Sequence, residues 1–280
     1  MAGPKVWTEE LIAERVKAGR GSGSGASFSP WLYVQEFSSR GTQTRVPSFK
    51  LKRTIHTFSY LERALFLWQE FQADFNDWNE QRPMERSLTL GYAKQLRIPH
   101  PRYPKSRIPV VMTLDAIGST IDADGIVHMT AWDVKPLRKL QDKRVLAKLS
   151  LHRAYCSHVG IPHRLFTETS LAPYVARNID WIRSALPKDG EIERVPGLFS
   201  WHLDQMQQDL TACRTRPSIS NFCERYDLGN KVEPGTGLRI FKMLLWKHRV
   251  TVEMSLKWIE QQPIPRASQC GAALQTRRAA

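Results

Sequence analysis

The stretch VVMTLDAIGSTIDADGIVHMTAWDVKP, residues 110–136, decides the fold. Apolar residues alternate with others from Val110 to Ile121 and again from Ile126 to Val134, the period of a half-buried strand. Asp122, Ala123, Asp124 and Gly125 between them are turn residues, so the spacing predicts an antiparallel hairpin. A three-residue loop with Gly125 in the left-handed conformation pairs Asp122 with Ile126 and brings Asp115 opposite Asp133. Lys135, two residues on, then shares their face. A two-residue loop would instead put the aspartates on opposite faces.

Two carboxylates and a lysine on one face suit metal-dependent phosphodiester hydrolysis. Carboxylates close together share divalent ions, and the cation orients the attacking water or stabilises charge developing on phosphorus. Asp115, Asp133 and Lys135 are the candidate catalytic residues, with the Val134 carbonyl completing a magnesium shell. An acid-x-Lys triplet alone says little, because chance produces about one in a chain of this composition. Its setting says more: Asp133 ends the apolar strand IVHMTAW, where a charge is costly unless paired, metal-bound or at a sheet edge. A cross-strand surface pair is the alternative, and directly opposed like charges need a cation between them.

Outward from the hairpin, a helix is expected over Leu137 to Val159, closed by Gly160 and Pro162, with a short strand over Arg164 to Thr167. These elements complete a mixed sheet with flanking helices, an α/β arrangement. Between Val134 and Arg164 eight Lys or Arg stand against one acid, Asp142. Lys139, Lys143 and Arg144 in that segment are candidate DNA-backbone contacts. Upstream, Gly91 to Arg107 holds five Lys or Arg and no acid, with three prolines in its second half, and reads as a basic surface loop.

Nearer the N-terminus, Leu61, Leu65, Trp68 and Phe75 predict a helix starting at Ser59, with Trp78 to Met84 leaving it as a loop. Ser59 and Glu62 form a capping box, which explains Glu62 locally; the same carboxylate could also join the metal or polarise water. Residues 7–18 form a short amphipathic helix. GRGSGSGAS after it reads as a flexible arm in which Arg20 either touches phosphate or is simply solvated.

Residues 170–265 read as a second domain. Helices are expected over Leu171 to Leu186, Phe199 to Ala212, Ser218 to Asp227 and Pro234 to Lys247, with a strand or wing over Arg249 to Ile259. That pattern is a winged helix, in which Arg239, Lys242 and Lys247 either meet DNA or form a solvated face. The full division is an N-terminal helix and arm (1–50), a catalytic domain (51–169), the winged helix (170–265) and a disordered tail (266–280).

The chain has 280 residues, 41% of them hydrophobic and 24% charged, a globular composition. Its net charge of +14 points to a polyanionic partner. Four scattered cysteines without CxxC suggest free thiols, and no run approaches the roughly 18 apolar residues of a membrane span, so a cytoplasmic protein without membrane contact is expected. There is no GxxxxGK[ST], GxSxG or HExxH, which removes nucleotide-binding, serine-nucleophile and zincin readings. The histidines, His152 and His163 among them, read as ordinary surface or core residues.

In order along the chain, TEELIAERVKAGRGSGSG, SPWL, RTIHTFSYLE, VVMTLD, WDVKP and DKRVLAKLSLHRAYC followed by GIP resemble the TnsA endonuclease family of heteromeric transposases. GLRIFKMLLWKHRVTVEMSLKWI extends the resemblance into the C-terminal half. The resemblance implies a restriction-endonuclease-like catalytic domain that cleaves the 5′ ends of a transposon, with two magnesium ions for which manganese can substitute. It implies a bacterial, nucleoid-associated setting, with transposon-end DNA, the transposase TnsB and the ATPase regulator TnsC as partners. It places the family's catalytic glutamate on Glu62, its acidic ligand on Asp115 and its lysine on Lys135. Asp133 stands where some relatives carry glutamine, and the helix from Leu137 to Gly160 lacks a glutamate that the family pattern includes. A stand-alone restriction or junction-resolving nuclease, or a non-catalytic DNA-binding scaffold, are the alternative readings.

Overall fold

The computed structural model describes residues 6–36, 42–188, 190–193 and 195–266. The chain divides into two units, Met1–Glu70 with Asp74–Ser170, and Phe71–Ala73 with Leu171–Ala280. Apart from Arg266, the expected C-terminal tail lies outside the described residues.

The first unit is built on the hairpin. β4 (Thr113–Ile121) and β5 (Val127–Val134) pair antiparallel from Ile121↔Val127 to Ala116↔Trp132. Asp122 and Ile126 close the loop, Gly125 takes a φ of 80°, and the Asp122 carboxylate accepts the Asp124 and Ile126 amides. β3 (Phe75–Pro83) pairs antiparallel with β4, and β6 (His163–Phe166) pairs parallel with β5, giving a mixed sheet in the order β3-β4-β5-β6. A separate two-stranded ladder joins β1 (Thr44–Pro47) to β2 (Thr54–Thr57).

Helix α4 (Lys143–His158) begins where Asp142 accepts the Arg144 amide at 2.8 Å. The expected long helix is therefore two pieces, with a 3-10 turn over Leu137–Gln141 before the cap. Its Leu151 and Cys156 pack with Met112, Leu114 and Ala131 of the hairpin. Helix α2 (Tyr60–Phe71) is capped by Ser59, whose hydroxyl accepts the Glu62 amide at 3.2 Å, while Glu62 accepts the Phe58 amide at 2.8 Å. Ala64, Leu65, Phe66 and Leu67 are buried, and Phe66 meets Trp78 of β3 with ring centroids 5.8 Å apart.

Three expectations fail. Residues 78–84 form most of a strand rather than a loop, because their polar side chains have buried partners: Glu80 binds Arg53, and Gln81 accepts from Thr113. The basic loop begins as helix α3 (Arg86–Gln95), which turns only Thr89 and Ala93 fully inward and so lacks a strong apolar stripe. The glycine-rich segment after α1 (Glu9–Lys17) is a fixed loop. Gly21 and Ser22 bond Ser29 through the backbone, Gly25 donates to Asp77, and Arg53 donates to the Gly25 carbonyl. Gly21 has a φ of 75°, and a Cβ there would stand 2.2 Å from the Pro83 ring.

The second unit contains α5 (Val175–Arg183), α6 (Leu198–Ala212), α7 (Ile219–Asn230) and α8 (Thr236–Trp246). Ile179, Ile182, Met206, Ile219, Ile240, Phe241 and Leu244 are among its fully buried side chains. Asp227 ties the α7–α8 turn by accepting the Gly235 and Gly237 amides at 2.8 and 2.6 Å. The helix-turn-helix is formed, but the wing strand is not: residues 251–258 run irregularly, with the Met254 and Leu256 carbonyls held by the Asn178 amide.

Candidate active site

Beyond Ala116↔Trp132 the regular pairing of β4 and β5 ends. The next residues on the two strands, Asp115 and Asp133, take different partners. Asp115 Oδ2 accepts the Val134 amide at 2.7 Å and the Lys135 ammonium at 2.6 Å. The same ammonium donates to the Val134 carbonyl at 2.8 Å, so one cation already bridges a carboxylate and a main-chain oxygen. Asp115 and Lys135 side chains are 13% and 21% exposed, which leaves them reachable from outside.

Glu62 lines the same small cleft as Asp115 and Val134, together with His56, Thr57 and Glu80. Burial, with the Asp115 charge beside it, pushes the Glu62 carboxyl up to about 7, against the pull of its bonds to Phe58 and Ser59 and of the Lys135 charge. The side chain thus caps α2 and faces the site at once. Lys135 feels burial pulling its ammonium down, but Asp115 above all, then Asp133 and Glu62, hold it above the ordinary lysine value. His56 is pushed down to about 4 by burial and by Arg45, Arg53 and Arg20, so it is neutral at pH 7. Glu80 is bound by both terminal nitrogens of Arg53 at 2.9 Å and also accepts the His56 amide, which leaves it a structural part of the cleft wall.

Asp133 is not in this cluster, and the expectation that it shares a metal face with Asp115 is not met. Its carboxylate is fully buried and bonded to His152 of α4 and His163 of β6. The hairpin register is as the turn predicts, but the ladder stops one residue short of the aspartates, and their carboxylates bond different partners. Sequence reasoning took both histidines for ordinary ones. The signal that could have found them was the charge itself, since a carboxylate at the end of an apolar strand needs partners.

Oxygen donors from Glu62, Asp115 and the Val134 carbonyl make a set of the kind a hard divalent cation takes. Among the described residues no group of three or more His, Cys, Asp or Glu is placed to hold a metal ion by itself.

The candidate DNA contacts divide. Lys139, Lys143, Arg144 and Lys247 are exposed. Arg20 lies 4.0 Å from the centroid of the Tyr33 ring and pairs with Glu36 at 3.1 Å. Arg239 donates to Ala185 and Glu191, and Lys242 lies 4.1 Å from the Trp181 ring and donates to Ser184. Both residues have partners within their own domain and are half-exposed.

Comparison with known proteins gives matches in chain order. Residues 72–168 match the family described as TnsA-like endonuclease N terminal, and residues 173–254 match TnsA endonuclease C terminal. Asp115, Asp133 and Lys135 fall inside the first match and Glu62 ahead of it. The chain is 35% identical to the transposon Tn7 transposition protein TnsA of Escherichia coli over 243 residues, covering 85% of this chain and 84% of that one. Two consecutive domain matches and that identity across most of both chains make this protein a member of the TnsA endonuclease family.

Proposed function

We propose that this endonuclease cuts DNA at the 5′ ends of a transposon, using magnesium held by Glu62, Asp115 and the Val134 carbonyl. The observation that carries this reading is the meeting of Lys135 Nζ and the Val134 amide on one Asp115 oxygen, in a cleft shared with Glu62. When bound, magnesium would supply Lewis-acid stabilisation of the phosphoryl oxygens and lower the pKa of water. The chain's own residues do the rest. The Lys135 ammonium lies where it can stabilise charge on the phosphate and orient water. The Glu62 carboxylate, in the same cleft, can accept a proton from the attacking water while the P–O bond to the leaving oxygen breaks. Exposed Lys139, Lys143, Arg144 and Lys247 hold backbone phosphates without reading bases.

In this reading site choice rests with a partner transposase of the TnsB kind and an ATPase regulator of the TnsC kind. No helix among the described residues is long and apolar enough to cross a membrane. The test is nicking of DNA carrying a transposon end, with magnesium, by wild type and Asp115→Asn, with and without the partners. Cutting by wild type only with partners supports the proposal. Cutting without them indicates a stand-alone nuclease, and equal cutting by Asp115→Asn removes the site.

A further inference from the structure

The acid-x-Lys pattern casts Asp133 as a metal ligand, and the geometry points elsewhere. Asp133 and His152 are both completely buried, and His163 is 12% exposed. His152 Nδ1 lies 2.9 and 2.7 Å from the two Asp133 oxygens, and His163 Nε2 lies 2.7 Å from Oδ2. Both rings act as N–H donors to the carboxylate. The carboxylate is thus already engaged by two ring N–H groups, with no exposed surface of its own.

The clamp joins three elements at the point where the site is made. Asp133 lies one residue from the end of β5 beside Leu165 of β6, His163 on β6 grips its side chain, and His152 comes from α4. The next residue, Val134, donates its amide to Asp115, and Lys135 donates its amide to Phe166 of β6 at 3.0 Å. Three consecutive residues are therefore pinned to three different neighbours. Fixing Asp133 between α4 and β6 fixes the register from which Lys135 and the Val134 carbonyl reach Asp115.

We infer that Asp133, held by His152 and His163, is a positioning residue that sets Lys135 and Val134 and does not ligate metal. This rests on the proposed site at Glu62 and Asp115. Misplacing reacting groups by an ångström costs up to about a hundred-fold in rate, so the effect should appear in kcat while DNA affinity is kept.

The experiment uses the full chain in two arms. In the first, Mn2+ binding is followed by electron paramagnetic resonance. Asp115→Asn should weaken binding about ten-fold or more beyond whatever Asp133→Asn costs, because the first removes a ligand and the second keeps an oxygen that accepts a histidine N–H. Equal loss in both variants would overturn the inference. If Asp115→Asn binds Mn2+ normally, the site reading fails, and the second arm still judges the clamp.

In that arm, nicking with partners is compared for His152→Leu and His163→Leu against His152→Asn and His163→Gln. An asparagine amide can replace the Nδ1 donor and a glutamine amide the Nε2 donor. The leucine variants should lose about ten-fold or more in kcat with KM for DNA nearly constant, and the amide variants should recover most of it. Amide variants no better than leucine, or a loss confined to KM, would overturn the inference. Should either leucine variant fail to fold, the amide variants are measured against wild type, and a ten-fold loss in them counts against it.

Discussion

Asp115 and Asp133 stand one step beyond the last rung of the same ladder, yet they live in opposite environments. The first is partly exposed, answers to a mobile type of cation, Lys135, and shares its cleft with a second carboxylate. The second is sealed, answers to two rigid rings, and feels burial pushing its pKa up. Chiefly His152, then the His163 bond and Lys135, overcome that push and hold it far below the ordinary carboxylate range. A carboxylate that must take and release ligands keeps an open side and a like-charged neighbour, whereas one that must hold still is buried and fully bonded. A motif that counts acids cannot tell the two apart.

The contrast breaks most readily at Asp115. Asp115→Asn should cost nicking at least about a hundred-fold in the reconstituted reaction, while urea unfolding shows a stability change under about 1 kcal/mol, because its ion pair is partly exposed and its loss relieves Glu62. Asp133→Leu should do the reverse in kind. It strands two buried histidine donors, and the first unit should lose at least about 2 kcal/mol in the same urea titration.

Glu62 sharpens the comparison through pH. Its carboxyl is raised from 4.5 to about 7, so between those values the folded chain binds more protons than the unfolded one. Stability from this group is full below pH 4.5 and is lost as pH rises through 7. In metal-free buffer the melting temperature should therefore fall between pH 5 and 7.5, and Glu62→Gln should flatten that slope. An unchanged slope would show that Glu62 is not the group responsible. The smallest effect is expected at the surface: replacing Lys139, Lys143 and Arg144 by alanine should lower the slope of log affinity for DNA against log salt by about 2 to 3, with no change in metal binding.

Where the sequence is legible, local chemistry decides. Gly125 and the two aspartates of the turn dictate the loop, and the loop dictates the register, so the hairpin could be read rung by rung. Ser59 and Glu62 announce the start of α2 for the same reason. What could not be read depends on partners distant in the chain. Strand β3 looks like a loop until Arg53, 27 residues from Glu80, is seen to neutralise its buried acid. His152 and His163 lie 19 and 30 residues from Asp133, and no spacing rule connects them. Alternation over Arg249 to Ile259 promised a strand, whereas residues 251–258 run irregularly with Asn178 holding the Met254 and Leu256 carbonyls.

The glycine run after α1 has a bearing on handling the protein. Segments of this composition are where trypsin is expected to nick a domain. Here Arg20 is held by Glu36 and Tyr33, and Gly21 sits so close to Pro83 that the chain cannot swing out without parting from its neighbours. Limited digestion of the native protein should spare the bond after Arg20, and Gly21→Ala should open it to cleavage. A splice that exchanges residues 19–25 for an ordinary flexible linker would keep the length and the composition and lose the lock.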